Sequence, residues 1–379
     1  MPPIVRSDRP RGEAPRILVL SGYDAASHRR WREQMIAMFS GFEWQSLVLP
    51  ARFFRWRIRG NPLSWLSEPV LQERWDLIIA TSMVDLATLR GLHPRLANTP
   101  SLLYMHENQF AFPVSRGQNT SVDPQMVNLY SALSADCVVF NSGWNRDSFL
   151  DGVDSFCQKL PDRVPEGLIE TLRDKSRVIP VPIEDRLFAE RPSLADRNCP
   201  HLLWNHRWEY DKGPDRLLNL LQVLEQRSVP FRLSLVGERF RRYPKAFDRI
   251  RERFDPCIEH WGFLESREDY DHLLRQADIV VSTALHDFQG LSMLEAMAAG
   301  CMPLAPDRLA YREYVPELCR YDSYEQDLER EAEAAADSLE ALLAKGASAC
   351  PPEAWRASRL AVDYQSLFNG LINPGSCRS

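Results

Sequence analysis

Ile279-Val280-Val281-Ser282, then His286-Asp287-Phe288-Gln289-Gly290-Leu291-Ser292-Met293-Leu294-Glu295-Ala296-Met297, then Gly300-Cys301-Met302-Pro303, is the stretch on which the fold turns. A β-branched run, a polar loop ending in glycine, a run rich in Leu, Met and Ala, and a second apolar run spell strand, loop, helix, strand. A strand that returns through a helix pairs parallel to the first. A glycine just before a helix lets backbone approach an anion, while the first free N–H groups and the helix dipole stabilise its charge. Gly290, Leu291 and Ser292 are expected to form that cradle. Glu295 lies about one turn into the helix, where a carboxylate can accept hydrogen bonds from two vicinal hydroxyls.

The same alternation extends outward on both sides. Towards the C-terminal half, Leu202–Trp204, Leu233–Val236, Ile279–Ser282 and Met302–Ala305 read as strands, with helices over Pro214–Glu225, Glu268–Gln276 and Leu291–Ala299. An independent set of strands, Ile17–Leu20, Leu77–Ala80, Leu102–Tyr104 and Cys137–Phe140, occupies the N-terminal half. Pro180, Pro182, Pro192 and Pro200 fall between the sets, where a proline-rich run suits a linker. The expected fold class is therefore α/β, with two Rossmann-like doubly wound domains, residues 1–190 and 191–379, facing across a cleft. Glu325–Leu343 and Glu353–Leu367 read as terminal helices, the second crossing back onto the first domain.

Bulk composition bounds the function classes. A chain of 379 residues, 44% apolar, has room for two cores. Its formal charge of -6 means that a polyanionic partner must be met by a local basic patch. Eight cysteines without a C-x-x-C pair suit reduced thiols of a cytoplasmic protein. Met1–Pro15 is rich in Pro and Arg without a signal-peptide core, and no stretch is apolar for long enough to span a bilayer. No His or Cys cluster has metal-ligand spacing, so no metal site and no cofactor are expected. Asp269-Tyr270-Asp271 reads as a solvated first turn of a helix, away from the cleft.

Two further loops follow strands. Asn205-His206-Arg207-Trp208-Glu209-Tyr210-Asp211-Lys212-Gly213-Pro214 sets two cations beyond Leu202–Trp204; the bland alternative is surface pairing of Arg207 and Lys212 with Glu209 and Asp211. His106-Glu107-Asn108-Gln109 follows Leu102–Tyr104. With the acidic helix segment, these loops resemble the family-4 retaining glycosyltransferases of GT-B fold. The resemblance implies that Arg207 and Lys212 hold a donor diphosphate and that Asp287 faces the donor sugar, where the family has glutamate. Glu295 then anchors the ribose, and His106 catalyses or positions the transferred sugar. Backbone at Gly262, Phe263 and Leu264 meets the base.

A narrower resemblance covers most of the chain. Ser21-Gly22-Tyr23-Asp24-Ala25-Ala26-Ser27-His28, Leu49–Arg59, His106–Gln109, Phe140-Asn141-Ser142, Trp204–Lys212, Val236-Gly237-Glu238 and Trp261–Leu264 look like the tRNA-queuosine α-mannosyltransferases. That family implies transfer of mannose from GDP-mannose to queuosine in the anticodon loop of aspartate tRNA. The acceptor is then met by His28, Arg52, Arg55, Trp56, Arg57, Glu107 and Asn108. Arg52, Arg55, Arg57 and Arg59 interleaved with Phe53, Phe54, Trp56 and Trp65 offer cations for phosphates and rings for splayed bases. An amphipathic edge strand with its rings in the core fits that alternation equally well. Two rivals stay open: a glycosyltransferase with another acceptor, and a non-catalytic nucleotide-sugar or RNA-binding protein.

Overall fold

A computed structural model describes residues 13–112, 121–188, 198–345 and 349–374. The first twelve residues, the centre of the expected linker (189–197) and Cys377 lie outside the described residues. The chain divides into two units, Met1–Val181 with Leu360–Ser379, and Pro182–Arg359. Relative to the expected 1–190 and 191–379, the division falls earlier, and most of the last helix, Ala357–Ile372, belongs to the first unit. Its Tyr364 is fully buried there, accepting from Trp31 Nε1 at 3.1 Å and donating to Pro180 O at 3.0 Å. Phe368 packs edge-on to Phe39 at 5.4 Å, so this helix completes the first unit's core.

Unit 1 is built on β1 (Arg16–Asp24), β2 (Glu43–Pro50), β3 (Leu77–Thr81), β4 (Ser101–Met105), β5 (Cys137–Phe140) and β6 (Ser176–Val178). They form one six-stranded parallel sheet in the order β2-β1-β3-β4-β5-β6. The residues of β3, β4 and β5 are all buried, as expected of strands covered on both faces.

Unit 2 repeats the design with β7 (His201–Trp204), β8 (Arg232–Val236), β9 (Ile258–Gly262), β10 (Ile279–Val281), β11 (Met302–Pro306) and β12 (Arg320–Tyr321), in the order β12-β11-β10-β7-β8-β9. From β7 the chain winds outward through β8 and β9, then returns to place β10 on the other side of β7. That reversal leaves a crevice beyond the carboxyl ends of β7 and β10, because the helices following these two strands depart in opposite directions. In unit 1 the same reversal falls between β1 and β3.

The Arg-aromatic run is neither a strand nor part of a sheet edge. It forms the helix Phe54–Ser64, despite Pro62 inside it. Pro62 has no N–H for the carbonyl of Ile58, and the Asn61 side chain takes its place, its Nδ2 donating to Ile58 O at 3.2 Å, Arg57 O at 2.7 Å and Met83 O at 3.0 Å.

Candidate active site

The loops after β7 and β10 are fitted to one another by close backbone approach. Gly213, with φ +66°, closes the β7 loop, and a Cβ there would sit 2.1 Å from Thr283 O. Leu285 N and His286 N both donate to Asp211 O, at 2.8 and 3.1 Å, and Thr283 Oγ1 donates to Lys212 O at 3.0 Å. The result is a rigid floor from which the Lys212 side chain, only 9% exposed, rises to donate from Nζ to His286 O at 2.7 Å. The same ammonium lies 3.4 Å from Asp287 Oδ2 and 3.4 Å from Asp211 Oδ2.

Asp287 in turn accepts from Gly290 N at 3.0 Å and from the Tyr311 hydroxyl at 3.4 Å. Burial opposes ionisation of this carboxyl, yet Lys212, His206, His286 and the Gly290 amide together hold it below the usual carboxylate range. Lys212 is thereby tied through one carboxylate to the glycine turn. Gly290 itself needs φ +78°, and a Cβ would meet Tyr314 Oη at 2.2 Å. The helix Leu291–Ala298 starts there with no side-chain cap, so its first amides are not claimed by a capping residue. The expected cradle changes in one detail: the Gly290 N–H is engaged by Asp287, which leaves the helix-start amides of Leu291 and Ser292 for an anion.

Asn205 and His206 extend the arrangement. Asn205 Nδ2 donates to Ser292 O at 2.9 Å, and His206 Nδ1 lies 3.3 Å from Ser292 Oγ. Burial, with Lys212 nearby, pushes the His206 imidazole down to about 4, so it is neutral at pH 7. Its Nε2 is buried without a hydrogen-bond partner among the described residues. Neither residue carried a role in the sequence reading, although both stand in the loop that was singled out.

Arg207 is not brought to this cluster. Its side chain is 51% exposed and pairs with Glu209 at 2.9 Å, the bland alternative, whereas Lys212 departs from that alternative by being buried against Asp287. Glu295 is 4% exposed rather than open at a mouth: Arg267 Nη2 donates to it at 2.6 Å and the Tyr270 hydroxyl lies at 3.5 Å. This also corrects the reading of Asp269-Tyr270-Asp271. Asp269 is exposed in the first turn as expected, but Asp271 is buried and paired with Arg267 and Arg186, which ties this turn to the residue that holds Glu295. At the end of β9, Gly262 takes φ +103°, Phe263 is exposed and Leu264 is half-buried.

In unit 1, His106 follows β4 and stacks on His28 with ring centroids 4.2 Å apart. His28 Nε2 meets Glu107 Oε2 at 3.2 Å. Burial and the neighbouring imidazole push His106 well below the ordinary histidine range, and its Nε2 has no partner among the described residues. Ser21 Oγ, within β1, and Ser82 Oγ, just after the neighbouring β3, are likewise buried without one among the described residues. Asn108 is placed differently from expectation. Fully buried, it donates to Asn145 Oδ1 at 2.9 Å and accepts from Phe110 N and Ala111 N at 3.0 and 2.9 Å, which makes it a turn-forming residue. Arg57 is buried as well, whereas Arg52, Arg55 and Trp56 are exposed.

Two parallel sheets of this order, with an anion-type turn beside a buried lysine at one switch point, define a GT-B glycosyltransferase. The fold is shared with solved structures at low identity. The sucrose-phosphate synthase of Thermosynechococcus elongatus matches with a TM-score of 0.68 at 14% identity, covering 95% of this chain and 100% of that one. Anabaena HepE in complex with UDP matches with a TM-score of 0.60 at 12% identity, covering 94% and 100%. Residues 200–345 match the family described as glycosyl transferases group 1, and residues 16–183 match that described as tRNA-queuosine alpha-mannosyltransferase N-terminal. The tRNA-queuosine alpha-mannosyltransferase of Drosophila melanogaster is 34% identical over 317 residues, 82% of this chain and 84% of the relative. A GDP-mannose:cellobiosyl-diphosphopolyprenol alpha-mannosyltransferase of Xanthomonas oryzae is 28% identical over 142 residues, 37% of each chain. The chain belongs to the tRNA-queuosine alpha-mannosyltransferase family and is a hexosyltransferase.

Proposed function

We propose that this protein transfers mannose from GDP-mannose to a hydroxyl of queuosine in the anticodon loop of tRNA(Asp), with retention at the anomeric carbon and without a metal. The bond from C1 to the β-phosphate oxygen breaks, the acceptor oxygen bonds C1 on the same face, and the acceptor's proton passes to the departing phosphate. Negative charge grows on the leaving diphosphate. Lys212 is buried where its charge is least screened, and Asp287 links it to the Gly290 turn that opens the helix Leu291–Ala298; that placement is the observation carrying the proposal. Asp287 contributes by pairing with Lys212 and holding it in place, while Arg267 aligns Glu295 for the ribose hydroxyls.

For the transferred sugar, neutral His106 offers Nε2 as a hydrogen-bonding group, with its ring held by the stack on His28. GDP-mannose and queuosine-bearing tRNA come from the family and from the names of the two relatives. The test incubates the protein with labelled GDP-mannose and tRNA from cells able or unable to make queuosine. Label is expected in the first tRNA alone, and equal label in both, or in neither, overturns the acceptor assignment.

A further inference from the structure

Between Arg52 and Ser67 the chain has four arginines and no acidic residue, in a molecule whose net charge is -6. The helix Phe54–Ser64 within this run is anchored through one face: Ile58 and Asn61 are buried, and Phe54 packs edge-on to Tyr23 at 5.8 Å. Its other face carries large apolar side chains in the open, Trp56 53% and Leu63 62% exposed, and Phe53 just before it is 69% exposed. Such exposure on a well-anchored helix calls for a reason.

The seat of Trp56 supplies one. A Cβ on Gly60, one turn further on, would lie 2.5 Å from Trp56 Cε2 and 2.8 Å from both Cδ2 and Cζ2. The indole therefore lies down on bare backbone, one face against the helix and the other towards solvent. Glycine inside a helix is otherwise unfavourable relative to alanine. Phe53 just before the helix takes the left-handed conformation, φ +56°, which presents its ring outward with the Arg52 guanidinium 5.6 Å from its centroid. Both local costs leave a flat ring in the open, and Phe53 has the Arg52 guanidinium beside it.

We propose that Trp56, seated on Gly60, is a stacking platform for an unpaired base of the acceptor RNA, with Arg52 and Arg55 meeting the adjoining phosphates. This rests on the tRNA acceptor argued above and adds where and how the loop is gripped. A planar π surface flanked by guanidinium groups suits a splayed base and its backbone, since any base can stack and each phosphate brings a negative charge.

The test uses the full-length protein and queuosine-containing tRNA(Asp). Trp56→Ala is expected to raise the KM for tRNA roughly tenfold or more, the scale of one lost stacked base, with the KM for GDP-mannose unchanged. Gly60→Ala should raise the tRNA KM similarly while leaving the melting temperature unchanged or higher, because alanine favours the helix and only the ring's seat is lost. Trp56→Phe should recover part of the effect. If wild-type protein glycosylates the tRNA but both variants keep its KM, the platform is wrong and the proposed reaction stands. If wild-type protein labels no tRNA, or Trp56→Ala instead abolishes binding to anionic phospholipid vesicles with tRNA kinetics intact, the helix serves another partner and the proposal fails.

Discussion

Lys212→Ala tests the electrostatic core of this site, and the structure requires it to have two separable effects. The ammonium lies 3.4 Å from each of two carboxylates, buried Asp211 and largely buried Asp287, whose side chains are 9% and 17% exposed. Removing one partner of a buried ion pair leaves an uncompensated charge, at a cost of about 3–5 kcal/mol. In a unit of this size that corresponds to a fall in melting temperature of roughly 6–20 °C. Separately, losing a positive charge aimed at a leaving group lowers turnover by about 100- to 1000-fold.

Calorimetry and steady-state mannosyl transfer on three variants separate the two. Asp287→Asn alone sets the baseline for loss of that carboxylate. Lys212→Ala should be both unstable and slow. In the double variant Asp211 alone stays unpaired, so roughly half of the stability should return, while turnover stays as low as in Lys212→Ala. If the double variant instead recovers the turnover of Asp287→Asn, Lys212 does no more than balance a buried charge, and the account of leaving-group stabilisation is refuted.

Other outcomes follow from the same geometry. The His206 imidazole titrates near 4 in the folded protein against about 6.5 unfolded, so between those values the unfolded state binds more protons and stability falls as pH drops from about 6.5 to about 4. His206→Asn should flatten that slope in a series of melting curves, and an unchanged slope would contradict a buried neutral ring. Gly290→Ala forces alanine into φ +78° against the Tyr314 hydroxyl. It should cost at least about 1–2 kcal/mol from backbone strain alone and weaken GDP binding in titration calorimetry; wild-type affinity for GDP would show that the turn is not the phosphate seat. Turnover should survive exhaustive chelation with EDTA, and a loss restored by magnesium or manganese would overturn the metal-free assignment.

The four central strands of each sheet were legible in the sequence because strands covered on both faces are continuous apolar runs, as in Leu77–Ala80 or Cys137–Phe140. The four strands not read there, β2, β6, β9 and β12, are the sheet edges. With a neighbour on one side only and partial exposure, they carry mixed sequences such as Glu43–Pro50, and only pairing in three dimensions reveals them. The Arg-aromatic run misled for a related reason: alternation at Phe54–Arg59 imitates a strand, whereas the Asn61 side chain, bonded to Arg57 O and Ile58 O, supports a helix.

For the site, local order in the chain determined the glycine turn before Leu291–Ala298 and the loop that carries Lys212, since backbone approach to an anion depends on residues adjacent in sequence. Tertiary structure alone decided which charges are buried and whom they meet. Lys212 reaches Asp287, Arg207 stays at the surface with Glu209, Arg267 holds Glu295, and His28 stacks on His106. Apart from Arg207 with Glu209, which are near neighbours, those pairings join residues far apart in sequence. Their strength depends on removal from water, which no spacing rule encodes.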